Sequence, residues 1–254
     1  MKNKNHTKFI YSSIGIVLTI ILWELLLRLG MVSSLLLPYP KEVAIELKGF
    51  ATSNMFWLDL FNTILSWLSG LFIGVLIGVS IGLLLAINKK IWLVFEPLVE
   101  FFRSLPSIVL VPLISLFLGV GLESKITCVI VVVAVTIIST TGIAMRSINV
   151  TYLKLQHSWK LSLKNRLLYI YLPEISSHLV VAIKAAIPLA LIVAVASDML
   201  IATDHGIGKI ITDSLAVFNI AKMYAAIIVV GILGYASANI SSQIEKTVIH
   251  WKGR

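Results

Sequence analysis

Six stretches of this chain are each long and apolar enough to cross a lipid bilayer, which constrains its fold more than any other feature. They run at roughly 9–28, 60–87, 101–119, 125–145, 175–201 and 222–244. A helix rises about 1.5 Å per residue and the hydrocarbon layer is about 30 Å thick, so about twenty apolar residues suffice to span it. Within hydrocarbon every backbone N–H and C=O must find a partner inside its own segment, and for runs of this length that means helix. The expected fold is an all-α membrane protein of about six transmembrane helices. The third run is interrupted by Pro106 and Pro112, which membrane helices tolerate where neighbours satisfy the freed carbonyls. Composition agrees: 58% of residues are hydrophobic and only 13% charged, well away from the balance of a soluble domain.

Six spans put both termini on one side, and the basic residues say which. Loops on that side carry thirteen Lys and Arg, among them Lys89, Lys90, Arg146, Lys154, Lys160, Lys164 and Arg166. The opposite loops carry six: Arg28, Lys41, Lys48, Lys125, Lys209 and Lys222. The excess predicts cytoplasmic termini. It also explains the net charge of +9 as membrane orientation, which removes nucleic acid as a partner. Residues 1–59 read as a first helix and an outer interfacial segment, 60–246 as the main membrane domain, and 247–254 as a cytoplasmic tail. Glu24 and Arg28 close the first span with no small-residue cleavage site, so it reads as a retained helix. After Pro38 and Pro40, an apolar–charged pattern suggests an amphipathic helix at the outer interface.

Within the spans, Gly70, Gly74, Gly78 and Gly82 recur every fourth residue and share one helix face. They allow close approach of another backbone, either as a seam beside a pore or as ordinary packing. Charges inside spans are functional candidates unless paired or wetted. Arg103, Lys184 and Asp198 qualify, and Pro188 breaks the backbone ladder four residues after Lys184. A cation at Lys184 suits an anionic solute on a translocation path or gate; pairing with Glu96 or Glu100, or snorkelling, is the alternative. Asp198 reads as structurally paired near the outer interface, Arg103 as a charge at the inner end of the third span, and Glu24 as snorkelling. No catalytic constellation is present, and the five histidines show no metal-ligand spacing. The stretch His205–Lys209 fails the phosphate-loop pattern, with Thr203 and Ile210 where Gly and Ser or Thr are required. Cys128 is a lone thiol in an apolar run.

Between the fourth and fifth spans, residues 151–173 carry Lys154, Lys160, Lys164 and Arg166 and no acidic residue. The segment reads either as a short cytoplasmic helix that docks on a soluble partner or as an ordinary basic loop.

The stretch Phe101–Ile126 carries Arg103, Leu105-Pro106, Val111-Pro112-Leu113, Gly119-Val120-Gly121 and Ser124-Lys125. In that combination it resembles the permease subunits of ATP-binding-cassette (ABC) importers, in the binding-protein-dependent group for nitrate, sulfonates and taurine. Leu35–Val43, Leu172-Pro173, Asp198-Met199-Leu200 and Gly206-Ile207-Gly208 extend the likeness over about residues 35–245. The resemblance implies a type I importer permease fold with a short coupling helix, in a cell inner membrane. It also implies cytoplasmic ATPase subunits, a second permease subunit and an extracytoplasmic solute-binding protein. ATP would be bound by the ATPase and no cofactor by this chain. The family often places an Arg where Lys184 stands. The chain departs from the family in the coupling loop: Lys154-Leu155-Gln156 occupy the place of a Glu-Ala-Ala triplet, and Lys160 that of a glycine. Either the segment still docks through Leu155, Trp159 and its basic residues, with Leu172-Pro173 closing it, or the chain is the weaker half of a heterodimer. A self-sufficient secondary transporter using Lys184 and Asp198, or a membrane scaffold, are the competing readings.

Overall fold

The computed structural model describes residues 2–148, 161–201 and 203–248. Every regular element among them is helical. The chain opens with α1 (Lys2–Arg28), α2 (Pro40–Thr52), α3 (Asn54–Ala86) and α4 (Lys89–Ser104). A 3-10 turn (Ser107–Val109) leads into α5 (Leu110–Leu118) and then α6 (Leu122–Arg146). Next come α7 (Leu163–Arg166), a π-helical turn (Leu167–Tyr171) and α8 (Leu172–Leu200), which run on as one 38-residue helix. The chain ends with α9 (Ile207–Ala216) and α10 (Ile220–Val248). Five helices are long and apolar enough to cross a membrane, and α4 with α5 makes a sixth span if that bent pair counts as one.

Local chemistry sets the helix ends. Pro40 stands in the first turn of α2, where a missing N–H costs nothing, and Glu42 accepts the Tyr39 N–H at 2.9 Å. Ser53 caps α3 by accepting from Phe56, and Asn88 caps α4 by accepting from Lys90. α5 stops at Gly119, whose φ of +78° is strained for any side-chain-bearing residue.

The centre of the bundle is α3 against α6, with α8 packed on both. The four glycines of α3 make this close approach. A Cβ on Gly70, Gly74 or Gly78 would lie 2.5–2.8 Å from the Cβ of Val129, Val133 or Ile137, and one on Gly82 would lie 2.7 Å from Thr141. The seam is therefore within the subunit. β-branched knobs of α6 enter a groove of bare backbone, and dispersion between closely set helices supplies the attraction that hydrophobic burial does not provide in lipid. α1 is peripheral: only 6% of its apolar window is buried, against 44% for α6. It is tied at its far end, where Trp23 donates to the Pro38 carbonyl at 3.0 Å and stacks obliquely near Tyr224.

Three expectations need correction. The third span does not begin at residue 101: α4 starts at Lys89, and the path turns by 89° between Ser104 and Ser107. Pro106 lacks an N–H and drives Leu105 to extended geometry (ψ 131°), which ends α4. Arg103 is thus at the far end of a helix, not at the inner end of a span. Leu172-Pro173 does not end a loop, because helix already begins at Leu163. A wide π turn, with the Leu172 N–H on the Leu167 carbonyl, precedes Pro173 and carries the helix into it. Lys125 is not a loop charge; its side chain is 1% exposed.

Candidate functional site

Charges gather at two places in this apolar bundle. The first joins four helices at the end where α8 gives way to α9. Lys125, in the first turn of α6, donates to Asp198 Oδ1 of α8 at 2.7 Å and to the His205 carbonyl at 2.7 Å. Asp198 Oδ2 accepts the Thr63 hydroxyl of α3 at 2.6 Å and the Gly208 N–H at 3.4 Å. Thr63 in turn accepts the Ile207 N–H at 2.9 Å, and Asp59 accepts the Gly206 N–H at 3.0 Å and meets the His205 ring at 3.2 Å. The N–H groups that open α9 are thus taken by side chains of α3 and α8. The two carboxylates also lie where the helix dipole favours negative charge. Gly206 has φ +150°, and a Cβ there would strike the Asp198 carboxylate.

Both members of the Lys125–Asp198 pair are essentially unexposed, at 1% and 0%. Desolvating two charges offsets most of their attraction, so such a pair fixes geometry more than it adds stability. What it fixes is the junction of α3, α6, α8 and α9. Just beyond it, the Asp213 hydrogen bond raises Lys209 above the usual lysine range.

The second cluster lies on the α4–α6 face. Arg146 pairs with Glu96 at 2.5 Å and sits 5.4 Å over the Trp92 ring, which itself lies on Gly142. Farther along, Glu100 Oε1 accepts the Ser139 hydroxyl at 2.8 Å, and Arg103 Nη1 reaches both Glu100 oxygens at 3.2–3.3 Å and Ser139 at 3.4 Å. Both ends of this pair are about half exposed, at 52% and 48%.

The structure places the remaining sequence candidates as follows. Asp198 is in the first cluster and Arg103 in the second. Lys184 of α8 lines a small apolar recess with Val180, Ile183, Ile187 and Ser241. Glu96 and Glu100, considered as its partners, are engaged by Arg146 and Arg103. α8 runs through Pro188, and the Trp67 indole of α3 donates to the Ile187 carbonyl beside it at 3.0 Å. Glu24 pairs with Arg28 at 2.8 Å. Lys154, Leu155, Gln156, Trp159 and Lys160 lie outside the described residues. Cys128 is buried with a free thiol, and no group of three or more His, Cys, Asp or Glu gathers as a metal site among the described residues. The sequence reading missed Thr63, Asp59 and Ser139, and with them the pairing of Lys125 to Asp198 and of Glu100 to Arg103. The one signal for Lys125 was that a buried Asp198 requires a cation, and Lys125 was wrongly counted among the loops.

A bundle of this kind, with a glycine-seamed centre, a sharply bent helix pair and paired charges within its helices, belongs to the class of polytopic membrane proteins. The sequence profile of the binding-protein-dependent transport system inner membrane components matches residues 74–249. The chain belongs to that family, and is a permease subunit of an ABC importer. It is similar to the taurine transport system permease protein TauC of Escherichia coli, with 20% identity over 95% of this chain and 88% of that one. It is likewise similar to the formylaminopyrimidine transport permease protein ThiX of Halalkalibacterium halodurans, at 22% over 91% and 92%. A chain of the MetNI methionine ABC transporter, solved in inward-facing conformations, shares the fold. Its TM-score is 0.67 at 21% identity, covering 78% of this chain and 99% of that chain.

Proposed function

We propose that this permease subunit forms, with a second permease subunit, the path for a small solute bearing an anionic group, and that residues 151–173 couple it to a separate ATPase. The observation that carries the coupling is the end of the bundle where α6 stops and α7 begins. There Lys89, Arg146 and Tyr171 line one cavity of about 510 Å³, and Lys90, Lys164 and Arg166 belong to the same end. That basic end faces the cytoplasm by the positive-inside rule, and both termini with it. With Lys125 withdrawn into the bundle, five basic residues remain for the opposite loops against thirteen here, which sharpens the bias.

ATP binds to the partner and no covalent step occurs in this chain. Closure of the ATPases moves the 151–173 segments, and the spans rock between inward- and outward-facing states. The turn at Leu105-Pro106 is where such motion is absorbed, since α4 and α5 are joined there without helical hydrogen bonding. An extracytoplasmic binding protein delivers solute to the opposite end, near α9. The anionic class is supported by the taurine, a sulfonate, named for one relative.

The test is purification of the complex from its native membrane, followed by reconstitution. ATP-dependent uptake and a co-purifying ATPase are expected, and both are lost when Leu155, Trp159 and Lys160 are replaced by Asp. Uptake by the chain alone, abolished by an uncoupler with ATP held constant, would replace this reading with a gradient-driven transporter.

A further inference from the structure

We infer that Arg103, held by Glu100 and Ser139, is a contact point for the solute's anionic group on the translocation path. The inference rests on the permease reading and assigns it a site.

Depth comes first. Arg103 lies fourteen residues beyond Lys89 on one helix, about 20 Å from the basic end. The Glu100–Ser139 bond is seven residues of α6 inside Arg146, about 10 Å. Counted along both helices, the pair lies well inside the bundle from its basic end, the depth of a hydrocarbon layer where α4 and α5 together form one span. Its surroundings are apolar and exposed: Leu98, Phe101, Phe102 and Leu113 are 40–56% exposed. A half-exposed arginine facing acyl chains at that depth costs several kcal/mol, so this patch faces water between subunits instead.

Hydrogen-bond capacity decides which solute group fits. Glu100 already accepts from Ser139 and from Arg103. Arg103 uses only Nη1 for both partners, so among the described residues its Nε and Nη2 N–H groups make no hydrogen bond. A guanidinium edge with parallel free donors matches a carboxylate, sulfonate or phosphonate in bidentate fashion. Beside it is a recess of about 100 Å³ whose wall includes Arg103, Ser107 and Thr136. That is about three times the volume share of one liquid water, room for such a head group. The Ser107 hydroxyl, also without a hydrogen bond among the described residues, lies in the same wall. Glu100 and Ser139 keep Arg103 from folding away, and the Glu100 carboxylate balances its charge while the path is empty.

The reconstituted permease–ATPase complex tests this without knowledge of the native solute. Cys128 is replaced by Ser and Ser104, the exposed neighbour of Arg103, by Cys. The new thiol is then titrated with an anionic and a cationic methanethiosulfonate, with Leu18→Cys on α1 as the lipid-facing control. Both reagents should label position 104 and neither position 18. Arg103→Gln should lower the anionic-to-cationic rate ratio by roughly five-fold or more, as expected for removing one unit charge a few ångströms away in a wet site. Methanesulfonate should slow labelling where equimolar chloride does not, and that protection should vanish in Arg103→Gln. No labelling at 104 in any nucleotide state, a rate ratio indifferent to Arg103, or absence of methanesulfonate protection would each overturn the inference. ATP-dependent uptake in the same vesicles judges the permease reading separately.

Discussion

Replacing Gly142 by Ala should unseat Trp92, and the structure sets the size of the effect. A Cβ on Gly142 would overlap three atoms of the six-membered part of the Trp92 indole. The ring is 3% exposed, lies between α6 and the Arg146 guanidinium and borders the cavity of about 510 Å³, so it can yield only by swinging into that cavity or by pushing α4 away from α6. If the helices shift to admit the methyl, the cost is that of overpacking, about 1–3 kcal/mol. If the ring is expelled, the cost approaches that of deleting a buried Trp, about 3–5 kcal/mol, and the Arg146 contact, about 0.5–2 kcal/mol, goes with it. Alanine's helix propensity returns about 1 kcal/mol, which leaves a net loss of about 2–4 kcal/mol if the ring is expelled and of up to about 2 kcal/mol if the helices shift. Trp92→Phe removes the colliding atoms and keeps an aromatic face. The double variant G142A/W92F should then be more stable than G142A alone, although W92F alone destabilises. Thermal aggregation followed by size-exclusion fluorescence in one detergent reads all four proteins. A G142A protein more stable than the parent, or a double variant worse than both singles, would refute the packing argument.

Lys125→Met leaves the Asp198 carboxylate buried without its cation and should cost about 3–5 kcal/mol. K125M/D198N should recover much of this, because an amide still accepts from Thr63; additive losses in the same melting assay would show that the two residues do not act as a pair. In the α3–α6 seam, Gly74→Ala and Gly78→Ala should each destabilise by about 1–3 kcal/mol. The double variant should cost less than their sum, since one separation of the helices admits both methyls; chemical cross-linking of α3 to α6 through introduced cysteines would report that separation directly.

The sequence announced the helices more clearly than their partners. Spacing alone put Gly70, Gly74, Gly78 and Gly82 on one face, because a period of four follows from helix geometry, yet nothing local says that Val129, Val133 and Ile137 fill the groove. The proline-led start of α2 was legible for the same local reason. The start of α4 was not. Lys89, Lys90, Glu96, Glu100 and Arg103 make that helix look like a loop to any hydropathy window, although Glu96 is paired across to Arg146 of α6 and Glu100 to Arg103 one turn along the same helix. Lys125 misled for a related reason: at the edge of an apolar run, a lysine that snorkels outward and one that turns inward to an aspartate 73 positions away are the same letter in the same context.

That separation along the chain has a consequence for biogenesis. α6 leaves the ribosome with Lys125 in its first turn, and Asp198 follows 73 residues later. At about 5–20 residues per second the wait is about 4–15 s. During it the ammonium has no carboxylate to meet, and its cheapest position is at the headgroup layer, which holds α6 shallow and unlocked from α8. Only when α8 arrives does the lysine turn inward and draw the opening of α9 down onto α3. The subunit therefore completes its fold from the C-terminal side. A truncation before Asp198 should leave α3 and α6 inserted but loosely seated.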